Sequence, residues 1–241
     1  MTLDSSKRIV FINIDKPPER VANYVENYTD NLISRLGLHQ SSYWAIDVDR
    51  EPFGSEKIIQ TASCVVIGGL WPLVLDQRSK SFLLSLMSKL LKRGIPLLAF
   101  GTAEPILLDV ICCKFEPYSG LLGLSEIQSV NQQDIMALPL TQRWGWRVSD
   151  RQAINITCPA QVINKTSCGE PLLVRHNDFL YSSPAVFGIT NIEMACWVYC
   201  FPQYLKGNEA AIELTQDDDW GICWLRDFLQ MWTNAKAKIV H

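Results

Sequence analysis

Histidine is scarce in this chain. There are three in 241 residues, His39, His176 and His241, so any imidazole chemistry rests on very few side chains. Cysteine is present eight times, but no two form a Cys-x-x-Cys pair, which excludes the usual compact thiolate zinc site. Cys196 and Cys200 fall on one face of an expected strand about 13 Å apart, too far to grip one metal. Basic residues do not cluster, and 22 of them face 25 acidic ones for a net charge of -3. That balance argues against a nucleic-acid groove or an anionic membrane surface as partner. No run approaches the roughly 18 apolar residues of a membrane span. The opening MTLDSSKRIVFINI enters a strand without a signal-like apolar region, so the expected location is the cytoplasm. There is no low-complexity linker and no internal repeat, which predicts one domain over residues 1–241. No metal or cofactor is expected.

What is present is an alternation of strand and helix. RIVFINI (8–14), YWAIDV (43–48), ASCVVIGG (62–69) and IPLLAFG (95–101) are short apolar runs of strand length. Between them, residues 20–36 carry apolar side chains at helical spacing through Val21, Tyr24, Tyr28, Leu32 and Leu36. Residues 79–93 form a second amphipathic stretch stopped by Gly94, and residues 103–113 a third. Strands apolar on both faces imply an α/β fold with a mainly parallel sheet covered by helices on both sides. Beyond Leu121 the pattern becomes mostly β, in SEIQSV, RWGWRVS, AINITC, QVINK, PLLVRH and MACWVYCF. A terminal amphipathic helix follows, with Trp220, Cys223, Trp224, Phe228, Met231 and Trp232 near one stripe. Asp217, Asp218 and Asp219 stand at its start, where helix capping outweighs metal binding.

Ligands of parallel α/β sheets sit beyond the carboxyl ends of the strands. This directs attention to GGLWP after the third strand and GTAEP after the fourth. CVVIGGLWPLVLDQ, RGIPLLAFGTAEPILLDVICCKF, LLVRHNDFLYSSP and MACWVYCFPQYL occur in an order that resembles the class I glutamine amidotransferases. The resemblance implies a flavodoxin-like fold and a strand-to-helix turn that carries a cysteine nucleophile in the family. Here that position is Gly101, and the family's following glycine and glutamine fall on Ala103 and Pro105. Its histidine and glutamate fall on Phe201 and Gln203 around Pro202. A thiol nucleophile needs a base and a group to orient that base. With all three replaced, the resemblance implies the fold without ordinary glutamine hydrolysis.

Candidates for a replacement site follow from the same placement. Glu104, in the first turn after the elbow, is either a general base or a carboxylate complementing the helix dipole. His176 is the histidine that the resemblance brings near the cleft, as acid/base or as a surface partner of Asp178. Tyr199 faces either the cleft or the neighbouring layer. Gly68, Gly69, Trp71, Gly101, Thr102 and Phe201 are expected to line the binding cleft, with Trp71 narrowing it. Three functions remain open. One is a biosynthetic enzyme repurposed for a small molecule other than glutamine, using Glu104, His176, Asp178 or Tyr199 for proton transfer, which the retained Gly68-Gly69 and elbow turn favour. Another is a non-catalytic scaffold or regulator of a partner biosynthetic enzyme. The third, a working glutamine amidotransferase with a displaced cysteine, requires coincidences the sequence does not show.

Overall fold

The computed structural model describes residues 7–49, 54–72, 75–117, 123–130, 144–149, 151–153, 160–204 and 219–233. Its centre is a parallel sheet of five strands, in the order β2-β1-β3-β4-β11. These are β1 (Arg8–Asn13), β2 (Tyr43–Asp47), β3 (Ala62–Gly69), β4 (Leu97–Gly101) and β11 (Leu180–Ser183). Ile9–Asn13 pairs in parallel with Tyr43–Asp47, and Gly69 of β3 lies opposite Gly101 of β4. Beyond β11 the sheet continues antiparallel through β10 (Pro171–Asn177), β9 (Gln161–Thr166), β6 (Gly123–Ser129), β7 (Trp144–Arg147) and β12 (Ala185–Val186). A small separate pair joins β5 (Phe115–Pro117) to β8 (Arg151–Ala153). The mixed α/β fold with a parallel centre and a β-rich second half is the expected one.

Helices cover both faces because each strand of the parallel centre is apolar on both sides. On one face, Phe11, Val66, Leu98, Phe100 and Tyr181 pack against α1 (Tyr28–Leu36), α5 (Asn191–Cys200) and α6 (Asp219–Trp232). On the other, Val10, Ile12, Val65, Ile67 and Ala99 pack against α2 (Ser55–Thr61), α3 (Gln77–Arg93) and α4 (Glu104–Val110). Helix α3 is capped by Asp76, whose carboxylate accepts from the Ser79 N–H, and it ends at Gly94 in the left-handed conformation (φ +63°).

Three elements differ from the sequence reading. The helix expected over 20–36 begins only at Tyr28, because the Asn27 side chain accepts from the Thr29 and Asp30 N–H groups and starts it there. Residues 18–25 form hydrogen-bonded turns instead, and Tyr24 is exposed. Helix α2 has no counterpart in the reading. MACWVYCF is not a strand: Thr190 and Glu193 make a reciprocal capping box, and the chain winds as α5 from Asn191 to Cys200. Cys196 and Cys200 are therefore one helical turn apart, not on a strand face. Helix α6 forms as expected, but Cys223 is exposed rather than on the buried stripe. The strand read as AINITC, apart from Ala153, lies outside the described residues, as do Asp217 and Asp218.

Candidate functional site

The carboxyl ends of β1, β3 and β4 meet at the expected cleft. Gly68, Gly69, Trp71, Gly101, Thr102 and Phe201 do come together there. Aromatic side chains pack among them. Trp71 is fully buried, its ring 6.4 Å from Phe201, which in turn lies 5.5 Å from Trp197. The Trp197 indole N–H donates to the Leu70 carbonyl at 3.2 Å and ties α5 onto the loop after β3.

Gly101, at the turn between β4 and α4, is in the left-handed region with φ at +61°. A Cβ placed on it would lie 2.0 Å from the Gly69 carbonyl oxygen and 2.8 Å from Val186 Cγ1. The neighbouring strand leaves no room for a side chain at residue 101. Gly69 is equally confined, since its Cβ would meet the Thr102 hydroxyl at 2.0 Å and Asp15 Oδ2 at 2.9 Å.

Asp15, just past the end of β1, was not foreseen. Its Oδ2 accepts the Trp71 backbone N–H at 2.6 Å and fixes the loop that carries the filling indole. Burial pushes the Asp15 carboxyl up from 3.8 to about 7, opposing the backbone hydrogen bonds that favour its ionised form. Nothing local in the run FINIDKPP marks it, because an aspartate after a strand is an ordinary turn residue.

The four expected acid/base residues separate into three places. Glu104 and His176 do lie close to one another, but in the interior beneath α4. His176 Nε2 pairs with Ser182 Oγ at 2.9 Å, and Ser182 together with Ser149 also serves Glu104. The buried Arg147 guanidinium stands beside that carboxyl. Burial raises Glu104 to about 7 and lowers His176 to about 4, so the imidazole is neutral across the physiological range. The register sets His176 between the levels of Leu97 and Leu98, at the opposite end of β4 from Gly101. Its expected place beside the cleft is corrected: β10 runs antiparallel to β11, which carries the following hairpin to the far rim. Asp178 lies in that hairpin, exposed, and pairs with Arg175 at 2.6 Å rather than with His176. Tyr199 is also outside the cleft, because helical winding turns it to solvent at 67% exposure beneath the Arg20 guanidinium.

An open cavity lies beside these residues, towards the sheet edge. It measures about 200 Å³ and is bordered by Asp15 and Lys16 after β1, Val48 and Asp49 after β2, and Leu75, Asp76 and Ser79 at the start of α3. Among the described residues no group of three or more His, Cys, Asp or Glu side chains is placed to hold a metal ion. None of their helices is long and apolar enough to cross a membrane.

This arrangement is that of the glutamine amidotransferase fold. Over 95% of its length the chain superposes on a glutamine amidotransferase from Thermotoga maritima, covering 99% of that protein with a TM-score of 0.66 at 13% identity. It covers 96% of a glutamine amido transferase from Methylobacillus flagellatus with the same TM-score at 11% identity. No family model and no curated protein matches the chain.

Proposed function

We propose that this chain is a degenerate class I glutamine amidotransferase that does not hydrolyse glutamine and acts by binding rather than by chemistry at the former cleft. The carrying observation is the closed elbow, where Gly69 and Val186 occupy the space a side chain at residue 101 requires. The triad positions support the same reading under either of two correspondences. Phe201 follows a helix, so the strand expected to carry the family's histidine is better matched by β11 beside the elbow strand. That strand ends at Ser183 and is followed by Pro184 and Ala185, which sets serine and alanine where the family has histidine and glutamate. Neither correspondence supplies a base with an orienting carboxylate. Continuity of one sheet through both halves supports treating residues 1–241 as a single domain. A cytoplasmic scaffold or regulator of a biosynthetic enzyme fits this reading.

A repurposed small-molecule enzyme is a second reading, favoured by the open cavity next to Asp15. Its chemistry would then lie one strand away from the old cleft. Calorimetric titration with glutamine tests the main reading: no heat of binding is expected at millimolar glutamine. Saturable binding that is lost on replacing Trp71 would show the cleft to be open and overturn it.

A further inference from the structure

We infer that Cys196 and Cys200 form a reversible redox pair that a hydroperoxide converts to a disulfide. This goes beyond the loss of glutamine hydrolysis and does not depend on it, because it rests on a different set of side chains. The two thiols lie one turn apart on α5, and Cys200 is the last residue of that helix. They are near enough to interact: burial first, then Cys200 and Glu193, hold the Cys196 thiol above its ordinary value. Cys196 is partly exposed and within reach of an oxidant, whereas Cys200 is buried. The Cys200 sulfur accepts the Arg20 Nε–H at 3.2 Å, and the same guanidinium donates to the Cys200 carbonyl. That fixed positive charge repels a soft metal cation, and among the described residues no third ligating group joins the pair. Oxidation is the chemistry left to it.

In the first step the Cys196 sulfur bonds to one peroxide oxygen as the O–O bond breaks, and its proton leaves with the departing hydroxide as water. The Cys200 sulfur then attacks the sulfenic acid. The S–S bond forms, the S–O bond breaks, and the hydroxyl leaves with the Cys200 proton as a second water. Two thiols are oxidised and one hydrogen peroxide is reduced. The raised Cys196 thiol makes the first step slow, which suits a sensor rather than a peroxide-consuming enzyme. Cβ atoms four residues apart on a helix stand about 5–6 Å apart, whereas a disulfide needs about 3.5–4.5 Å. The last turn of α5 must therefore rewind to close the bond. It can, because Phe201 has already left the helical conformation, with φ at -134° and ψ at 49°. That turn carries Trp197 between the cysteines and Phe201 after them. Closing the bond loosens these two rings from one another and from Trp71, and it takes away the thiol to which Arg20 donates. A strained disulfide of this kind is readily reduced, which makes the change reversible.

The test is stepwise oxidation of the whole chain with hydrogen peroxide. Free thiols are counted, the crosslink is mapped by mass spectrometry of unreduced peptides, and amide hydrogen exchange is followed over residues 190–204. Cleavage after Trp197 or Tyr199 separates the two cysteines, so a link between them shows as two joined peptides. Expected are the loss of two thiols per chain, a link between Cys196 and Cys200, faster exchange over residues 196–201, and return of all three to the starting state with dithiothreitol. Cys196→Ser and Cys200→Ser should each abolish the link and the change in exchange. Cys196→Ser, at the partly exposed position, decides the matter if Cys200→Ser does not fold. The inference is overturned by a disulfide that maps to Cys112 and Cys113 or elsewhere, or by oxidation of Cys196 without a link to Cys200. Thiols unchanged in excess peroxide, a link that leaves exchange unaltered, or the same exchange response in Cys196→Ser would overturn it equally.

Discussion

Adding one methyl group at Gly101 should damage this protein far more than the same change at another glycine of equal backbone conformation. Gly101 and Gly94 have φ of +61° and +63°, so Gly→Ala carries the same left-handed penalty at both, about 1–2 kcal/mol. Their surroundings differ. At Gly94 the nearest atom to a new Cβ is Phe179 Cε1 at 4.0 Å, an ordinary contact. At Gly101 the Gly69 carbonyl oxygen stands at 2.0 Å and Val186 Cγ1 at 2.8 Å. Val186 belongs to a strand end that can shift, but the Gly69 carbonyl is held in the sheet and also accepts the Thr102 N–H at 3.0 Å. Relief therefore requires moving β3 from β4, and overpacking of this kind adds about 1–3 kcal/mol. Gly101→Ala should lose roughly 2–5 kcal/mol and Gly94→Ala about 1–2 kcal/mol. Urea denaturation of the two variants, compared by midpoint at constant slope, measures the difference. Equal losses would refute the closed elbow, because they would mean that the site has room for a side chain.

Three further outcomes follow from the buried polar groups and the filled cleft. The native Asp15 carboxyl takes its proton near pH 7 against 3.8 when unfolded, so the native state holds the extra proton between those values and loses stability as pH rises through that window. Asp15→Asn, which cannot ionise, should gain on the wild type by at most roughly 3 kcal/mol between pH 5 and pH 8 in urea unfolding, and a pH-independent difference would contradict this. Glu104→Ala leaves the Arg147 guanidinium buried without its carboxyl neighbour and should cost about 3–5 kcal/mol in guanidinium unfolding, whereas a loss under 1 kcal/mol would show the pair to be hydrated. Trp71→Ala removes a fully buried ring and should cost about 3–5 kcal/mol by the same measurement, less if the loop collapses into the space.

The parallel half of the fold was legible because its strands are apolar on both faces and its helices carry clear stops, such as Gly94 after Lys92 and Arg93. The β-rich half was harder for a physical reason. MACWVYCF is apolar nearly throughout, and a short run of that kind has no period to separate a strand from a buried helix. The deciding signal was upstream, in Thr190 and Glu193, a capping box three residues apart. That box winds the run as a helix and turns Tyr199 to solvent. The sequence directs attention to Gly69 and Gly101 because ligands of parallel α/β sheets sit beyond the carboxyl ends of the strands. His176 and Glu104 converge only through Ser182, a contact that depends on strand register and on α4 lying across β11. Asp15 escaped notice because its significance comes from burial against Trp71, 56 residues away in the chain.

The most direct measurement is glutamate formation from glutamine by the purified protein and by Gly101→Cys, each at substrate concentrations well above millimolar. Neither should release glutamate above the uncatalysed rate, since the wild type has no nucleophile at the elbow and the variant places a thiol where there is neither space nor a base. Sustained turnover by the wild type, or its appearance in Gly101→Cys, would contradict the reading of this chain as an amidotransferase fold without the amidotransferase reaction.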